Sequence, residues 1–212
     1  MTVGKFEAVY QESFRGEYNV FLPDGYGIHK QLYPLLVYLH GYYGEYIPPD
    51  IMEENIPYGL KENSNKFQFV LACPLCPFEF YWRTTYVMSF IRYLIETHHV
   101  DERKTFLTGT SMGGFGAWAT AHEFPDAFAG IAPVSGGISE INQYQAHRFK
   151  DLPVRAFHNR GDDIVRYDDS ERMITSINNH GGDPKLTIYE ADSHDADVTY
   201  QAIQLYEWFS GL

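Results

Sequence analysis

Residues Thr105–Gly116 read TFLTGTSMGGFG. The first five have the composition of a short buried strand, and Phe115 to Phe124 has that of a helix. Between them a lone serine, Ser111, stands among Gly109, Gly113 and Gly114. The core of the stretch is G-x-S-x-G, the pattern of a nucleophile elbow. A serine hydroxyl can attack only if it projects from the backbone with a base beside it. A sharp turn from strand to helix achieves this and forces Ser111 into a strained conformation. Side chains at 109 and 113 would collide with the neighbouring strand and helix, which calls for glycine there. Gly114 and Gly116 are expected to let the new helix lie close against the sheet. The helix amino end also turns free N–H groups toward the serine, an arrangement that favours developing negative charge.

Outward from this stretch, strands and helices alternate. KFEAVYQ (5–11) and GEYNVFLP (16–23) alternate apolar and polar residues and read as an antiparallel pair. PLLVYLHG (34–41) is a near-continuous apolar run, as in a strand buried on both faces. A polar helix is expected over Asp50 to Asn63, then a buried strand in FQFVLACP (67–74). Val87, Phe90, Ile91, Leu94 and Ile95 have helical spacing within Arg83 to His98. GIAPVSGG (130–137), PVRAFHN (153–159) and KLTIYEA (185–191) are further strands. A helix capped by Asp168 and Asp169 and ended by Gly181 and Gly182 lies between the last two, and Val198 to Phe209 closes the chain as a helix. The pattern predicts an α/β fold, a mostly parallel sheet with helices on both faces, in a single domain spanning 1–212.

Composition excludes several classes. At 44% hydrophobic and 21% charged residues the chain is an ordinary globular one, and no apolar run approaches the length of a membrane span. The net charge of −12 argues against nucleic acid or an anionic membrane as partner. MTVGKFEAVY has no signal-peptide character, so the chain reads as cytoplasmic, although one trimmed of a leader would read the same. Cys73 and Cys76 form a C-x-x-C, but no second pair completes a zinc site, and Pro74 and Pro77 make a poor redox helix start. They are expected to be two structural cysteines at a strand end. With no metal-ligand cluster and no glycine-rich phosphate loop, no metal and no cofactor are expected.

In a parallel sheet, reactive groups gather in loops at the carboxyl ends of strands. Ser111 follows TFLTG, His158 to Asp163 follow PVRAF, and His194 lies just past KLTIYEA. A serine, an acid and a histidine therefore occur in chain order. Two adjacent carboxylates, Asp162 and Asp163, compete for the role of acid. The remaining helical histidines, His98, His99, His122, His147 and His180, are expected to be solvated.

The segments FLPDGY, YPLLVYLHGYYGE, VDERKTFLTGTSMGGFGAWATAHEFPDAFAGIAPVSGG, FHNRGDDIV and ADSHDAD resemble the α/β-hydrolase superfamily. Within it they are most similar to compact esterases grouped with feruloyl esterases, polyhydroxybutyrate-depolymerase-like esterases and predicted peptidases. The resemblance implies an eight-stranded sheet without a cap domain, since only about 16 residues separate GIAPVSGG from PVRAF. It implies Ser111 as nucleophile and His194 as general base. Its H-G-x-x-D-x-x-V pattern favours Asp162 as the acid, with Asn159 where the pattern has glycine and Arg166 where it has proline. The oxyanion hole would be the N–H groups of Met112 and Tyr42, with His40 holding the loop rather than moving protons. Aromatics at Tyr42, Tyr43, Tyr46, Phe78, Phe80, Tyr81 and Trp82 are expected to crowd the rim, and Tyr43 and Trp82 are the candidates for substrate contact. The expected activity is hydrolysis of small acyl or feruloyl/acetyl-carbohydrate esters through an acyl-enzyme. A peptidase, thioesterase or acyltransferase using the same triad, or a non-catalytic binding protein, are the alternatives, and oligomeric state is left open.

Overall fold

The computed structural model describes residues 2–9, 13–28, 31–42, 56–78, 81–138 and 144–212. Eight strands form one sheet: β1 (Thr2–Val9), β2 (Ser13–Phe21), β3 (Tyr33–Leu39), β4 (Val70–Pro74), β5 (Val100–Thr110), β6 (Gly130–Val134), β7 (Arg155–Asn159) and β8 (Lys185–Tyr189). Their order across the sheet is β1-β2-β4-β3-β5-β6-β7-β8. β1 and β2 are antiparallel with Thr2 opposite Val20, β2 meets β4 antiparallel, and every later pairing is parallel. This is the α/β-hydrolase architecture, with no large insertion forming a cap among the described residues.

The side-chain alternation of β3 explains its continuous apolar run. Leu35, Val37 and Leu39 enter one core, shared with helices α2 (Thr84–Thr97), α3 (Met112–Glu123) and α4 (Tyr167–Asn179). Leu36 and Tyr38 enter the opposite core, shared with α1 (Leu60–Lys66), α5 (Val198–Gln201) and α6 (Ile203–Ser210). All five of these β3 side chains are fully excluded from water. At about 1.5–3 kcal/mol for each such large apolar side chain, their burial anchors the centre of the sheet.

Several boundaries differ from the sequence-based expectation. β5 begins at Val100 rather than Thr105, because Tyr33 of β3 pairs with Val100 before a register shift brings Leu35 opposite Thr105. The helix after the elbow begins at Met112, three residues earlier than apolar spacing indicated, since glycines carry no periodic signal. The expected closing helix is two: Ala202, at φ −74° and ψ 111°, breaks it, and Tyr206 Oη donates to Tyr200 O across the break. Asp168 and Asp169 occupy the first turn of α4 instead of capping it; the cap position is Arg166. Their charge still faces the positive end of the helix dipole. The polar helix expected over 50–63 is found at Leu60–Lys66, and residues 50–55 lie outside the described ones. No helix among the described residues is long and apolar enough to cross a membrane.

Candidate active site

Thr110 ends β5, and Met112 starts α3 in the next breath of the chain. Ser111 between them has φ 56° and ψ −118°, a positive φ that only three non-glycine residues adopt among those described. The strain is held from several sides. Ser111 N donates to Val134 O of β6 at 3.0 Å, and Phe115 N donates to Ser111 O at 3.0 Å. Gly113 lies so close to Leu39 O of β3 that any Cβ there would overlap it, and a Cβ on Gly109 would meet Leu39 O and Gly113 O at 2.6 Å each. A Cβ on Gly114 would meet Val134 O at 2.5 Å, so Gly114 does bring the helix onto the sheet. Gly116 instead makes room for the indole of Trp82, 2.9 Å from where its Cβ would be.

His194 lies in the loop after β8, and its ring is held by Asp162 in the loop after β7. Nδ1 of His194 is 2.9 Å from Asp162 Oδ1 and 2.8 Å from Oδ2. A carboxylate only accepts, so Nδ1 carries the proton and Nε2 is left with its lone pair, the tautomer a general base requires. Nε2 is buried and makes no hydrogen bond to a protein group, Ser111 Oγ included. Catalytic hydrogen bonds of this kind commonly tighten only when substrate binds. The backbone keeps the two residues together: Ser135, next to the Val134 carbonyl that binds Ser111, donates through Oγ to His194 O at 3.3 Å.

Asp162 is the carboxylate that meets the ring; Asp163 beside it is exposed. Asp162 Oδ1 also accepts from the N–H groups of Ile164 (3.0 Å) and Val165 (2.9 Å), and Oδ2 faces His158 Nε2 at 3.2 Å. His158 contacts Ser170 Oγ through Nδ1 at 2.8 Å and Val165 O through Nε2 at 2.8 Å. Ser170, His158 and Asp162 therefore form a bonded Ser–His–Asp network of their own. It is sealed: His158 is 0% and Ser170 1% exposed, and Ser170 Oγ also donates to Gly136 O at 2.8 Å. It lies on the far side of the Asp162 carboxylate from His194, so the carboxylate is held between the two rings. The motif spacing pointed to Asp162; that His158 grips it from behind was visible only in space.

The loop after β3 stands beside the elbow, with Gly41 placed so that a Cβ would be 3.5 Å from Ser111 Cβ. His40 is buried and structural, as expected. Its Nδ1 donates to Gly41 O at 2.6 Å and its Nε2 accepts from Cys76 N at 3.1 Å. Both bonds require the neutral ring, and burial pushes its pKa down to about 4, against a smaller opposing effect of Gly41 O. Trp82 is 3% exposed; its Nε1 donates to His40 O at 3.1 Å and its ring meets the imidazole edge-on at 5.0 Å. The expectation that Trp82 contacts substrate is therefore corrected: it is a pillar beneath the loop, buried because Gly116 leaves space for it. Tyr42 and Tyr81 are about half exposed, at 48% and 54%, and Phe78 stacks on Tyr81 at 5.9 Å. Tyr43, Tyr46 and Phe80 lie outside the described residues.

Near the elbow, Asp197 is half-buried, with Thr110 Oγ1 at 3.5 Å; burial first and the charge of Asp195 second push its carboxyl up to about 6. Cys73 and Cys76 are free thiols, and burial raises both, Cys76 to about 11, so neither is a ready thiolate. Among the described residues no group of His, Cys, Asp and Glu is arranged to hold a metal ion.

Solved structures with this fold include a thermostable esterase, at TM-score 0.81 and 24% identity over 98% of this chain. The chain spans 62% of that protein's length. A ferulic acid esterase aligns at TM-score 0.73 and 15% identity, covering 99% of this chain and 96% of its own. An acylaminoacyl peptidase from Pyrococcus horikoshii aligns at TM-score 0.73 and 12% identity, covering 99% of this chain and 41% of its own. No curated protein sequence matches. The model of the Esterase family, described as "Putative esterase", matches residues 15–170, which take in the loop after β3, the turn at Ser111 and Asp162. With that match over most of its length, and with a strained serine, a buried carboxylate and an oriented histidine just past the parallel strands β5, β7 and β8, the chain belongs to the esterase family of the α/β-hydrolase superfamily.

Proposed function

We propose that this serine hydrolase cleaves carboxylic esters through an acyl-enzyme, with Ser111 as nucleophile, His194 as base and Asp162 as its orienting acid. The observation that carries the reading is the pairing of Asp162 with His194 Nδ1, which leaves Nε2 without a protein partner, together with the strained Ser111 at a helix amino end. Ser170 is the other serine in a Ser–His–Asp network, but a group 1% exposed cannot meet a substrate carbonyl.

The steps follow from the atoms available. His194 Nε2 takes the Ser111 proton as Oγ bonds to the ester carbonyl carbon. The oxyanion is held by the N–H of Met112, one of the helix-end donors without an intrahelical acceptor, and by the N–H of Tyr42. The carbon–oxygen bond to the alcohol breaks as His194 returns the proton to the leaving oxygen. Water then attacks the acyl-enzyme by the same route and releases the acid and Ser111.

For the substrate we favour short acyl esters and aromatic acyl or acetyl esters on carbohydrate. The absence of a large cap, the half-exposed Tyr42 and Tyr81, and the fold shared with a ferulic acid esterase support this choice. Tyr43 remains the proposed substrate contact. The test ranks p-nitrophenyl acetate and butyrate, methyl ferulate, acetylated sugars, a thioester and an acylated peptide by kcat/KM, with a fluorophosphonate probe to locate the nucleophile. Labelling confined to Ser111 and preference for oxygen esters are the expected results. Preference for the acylated peptide would move the assignment to a peptidase.

A further inference from the structure

The turn that supplies the acid also holds the backbone of the histidine loop. Asn159, the last residue of β7, is 1% exposed. Its Nδ2 donates two hydrogen bonds, to Ser193 O at 2.8 Å and to Asp195 O at 2.7 Å, the carbonyls on either side of His194. The carbonyl between them, His194 O, accepts from Ser135 Oγ. Three consecutive carbonyls are thus tied to side chains at the ends of β6 and β7. Asn159 Oδ1 is buried without a partner, so the carboxamide is committed to this orientation by its two donor bonds alone. Gly161 packs against the same loop: Gly161 N donates to Ala191 O at 3.0 Å, and a Cβ there would overlap Asp192.

A loop histidine is a good base only if its ring cannot swing. The Asp162 bond fixes the far end of the ring, but the ring's position also depends on the two peptide planes that carry Cα of His194. Asn159 Nδ2 grips the first of these planes through Ser193 O and the plane after the second through Asp195 O, while Ser135 Oγ holds the second through His194 O. We propose that Asn159 is a positioning residue for the reaction: one turn, Asn159 to Asp162, holds His194 twice, by its flanking carbonyls and by its ring. A glycine at 159, as the esterase resemblance anticipates, would leave both carbonyls to water. The inference rests on the assignment of His194 as the base.

The experiment compares wild type with Asn159→Ala, Asn159→Gly and, as a control for the underlying assignment, Ser111→Ala, in hydrolysis of p-nitrophenyl acetate and inactivation by a fluorophosphonate. For the Asn159 variants kcat is expected to fall about 10- to 100-fold, the scale of a catalytic group displaced by about 1 Å, with KM within about two-fold. The rate constant of inactivation is expected to fall by the same factor, because both report proton removal from Ser111. A folded variant with kcat within about three-fold of wild type, or with its loss confined to KM, overturns the proposal. So does failure of both variants to fold, which makes Asn159 a structural anchor only. A wild type that is inert, or labelled elsewhere than Ser111, removes the base assignment and this inference together; an active wild type with unaffected Asn159 variants removes this inference alone.

Discussion

Acid should loosen the fold through His40 before it touches most of the carboxylates. The ring is neutral in the folded chain, with both nitrogens committed, Nδ1–H to Gly41 O and Nε2 to the Cys76 N–H. Protonation would put a second N–H against a donor in a site 3% exposed, and the folded-state pKa is accordingly lowered to about 4, from 6.5 in a free histidine. The unfolded chain binds this proton below pH 6.5 and the folded chain does not, so the unfolded state gains on acidification. The stability from a neutral His40 is complete above pH 6.5 and is lost as pH falls through 6.5 toward 4. At 1.36 kcal/mol per pH unit this amounts to about 2 kcal/mol between pH 7 and pH 5 and about 3 kcal/mol by pH 4. The assay is urea unfolding at pH 7 and pH 5 for wild type and His40→Gln, whose amide keeps an acceptor and a donor but does not titrate. The variant is expected to be less stable at pH 7 and to lose about 2 kcal/mol less than wild type on going to pH 5, since all other titrating groups cancel in the difference. Equal losses in the two proteins, or an NMR titration in which the His40 ring protonates with a midpoint near 6.5 in the folded state, would refute the reasoning.

Ser111→Ala should lower kcat by about a million-fold while leaving thermal unfolding unchanged or slightly improved, since it removes a hydroxyl from a strained turn; steady-state kinetics with active-site titration checks it. Asp162→Asn should lower kcat by about 10⁴-fold by disturbing the His194 tautomer, whereas Asp163→Asn, at an exposed position, should change it less than about three-fold. Gly113→Ala should destabilise the fold by more than about 4 kcal/mol, because the new methyl overlaps Leu39 O and neither backbone can move away; soluble yield and unfolding midpoint report it. Asp197→Asn should raise stability above pH 6. The carboxyl is raised to about 6, so its charged form is disfavoured in the fold, and the gain, about 1 kcal/mol after allowance for solvent, should vanish as pH falls toward 4. Unfolding curves at pH 7.5 and pH 4.5 decide it.

Sequence alone determined the local geometry of the elbow. The glycines around Ser111 mark a tight strand-to-helix turn by their composition alone, although the atom that excludes a side chain at Gly113, Leu39 O, is supplied by another strand. The two-faced burial of β3 was legible for a similar reason, since alternate residues must point to opposite sides of a strand. The boundaries of α3 and the break at Ala202 were not, because glycines carry no periodic signal and the break is bridged by a bond between Tyr206 and Tyr200. The choice between Asp162 and Asp163, two neighbours of identical chemistry, rested on motif spacing until the fold placed one against a ring and the other in water. Trp82 read as a surface aromatic because its burial depends on Gly116, thirty-four positions away. The grips of His158 on Asp162 and of Asn159 on the His194 loop join segments whose spacing along the chain is arbitrary. A hydrogen bond depends on distance and direction in space, and only the packed sheet brings those donors and acceptors within reach of one another.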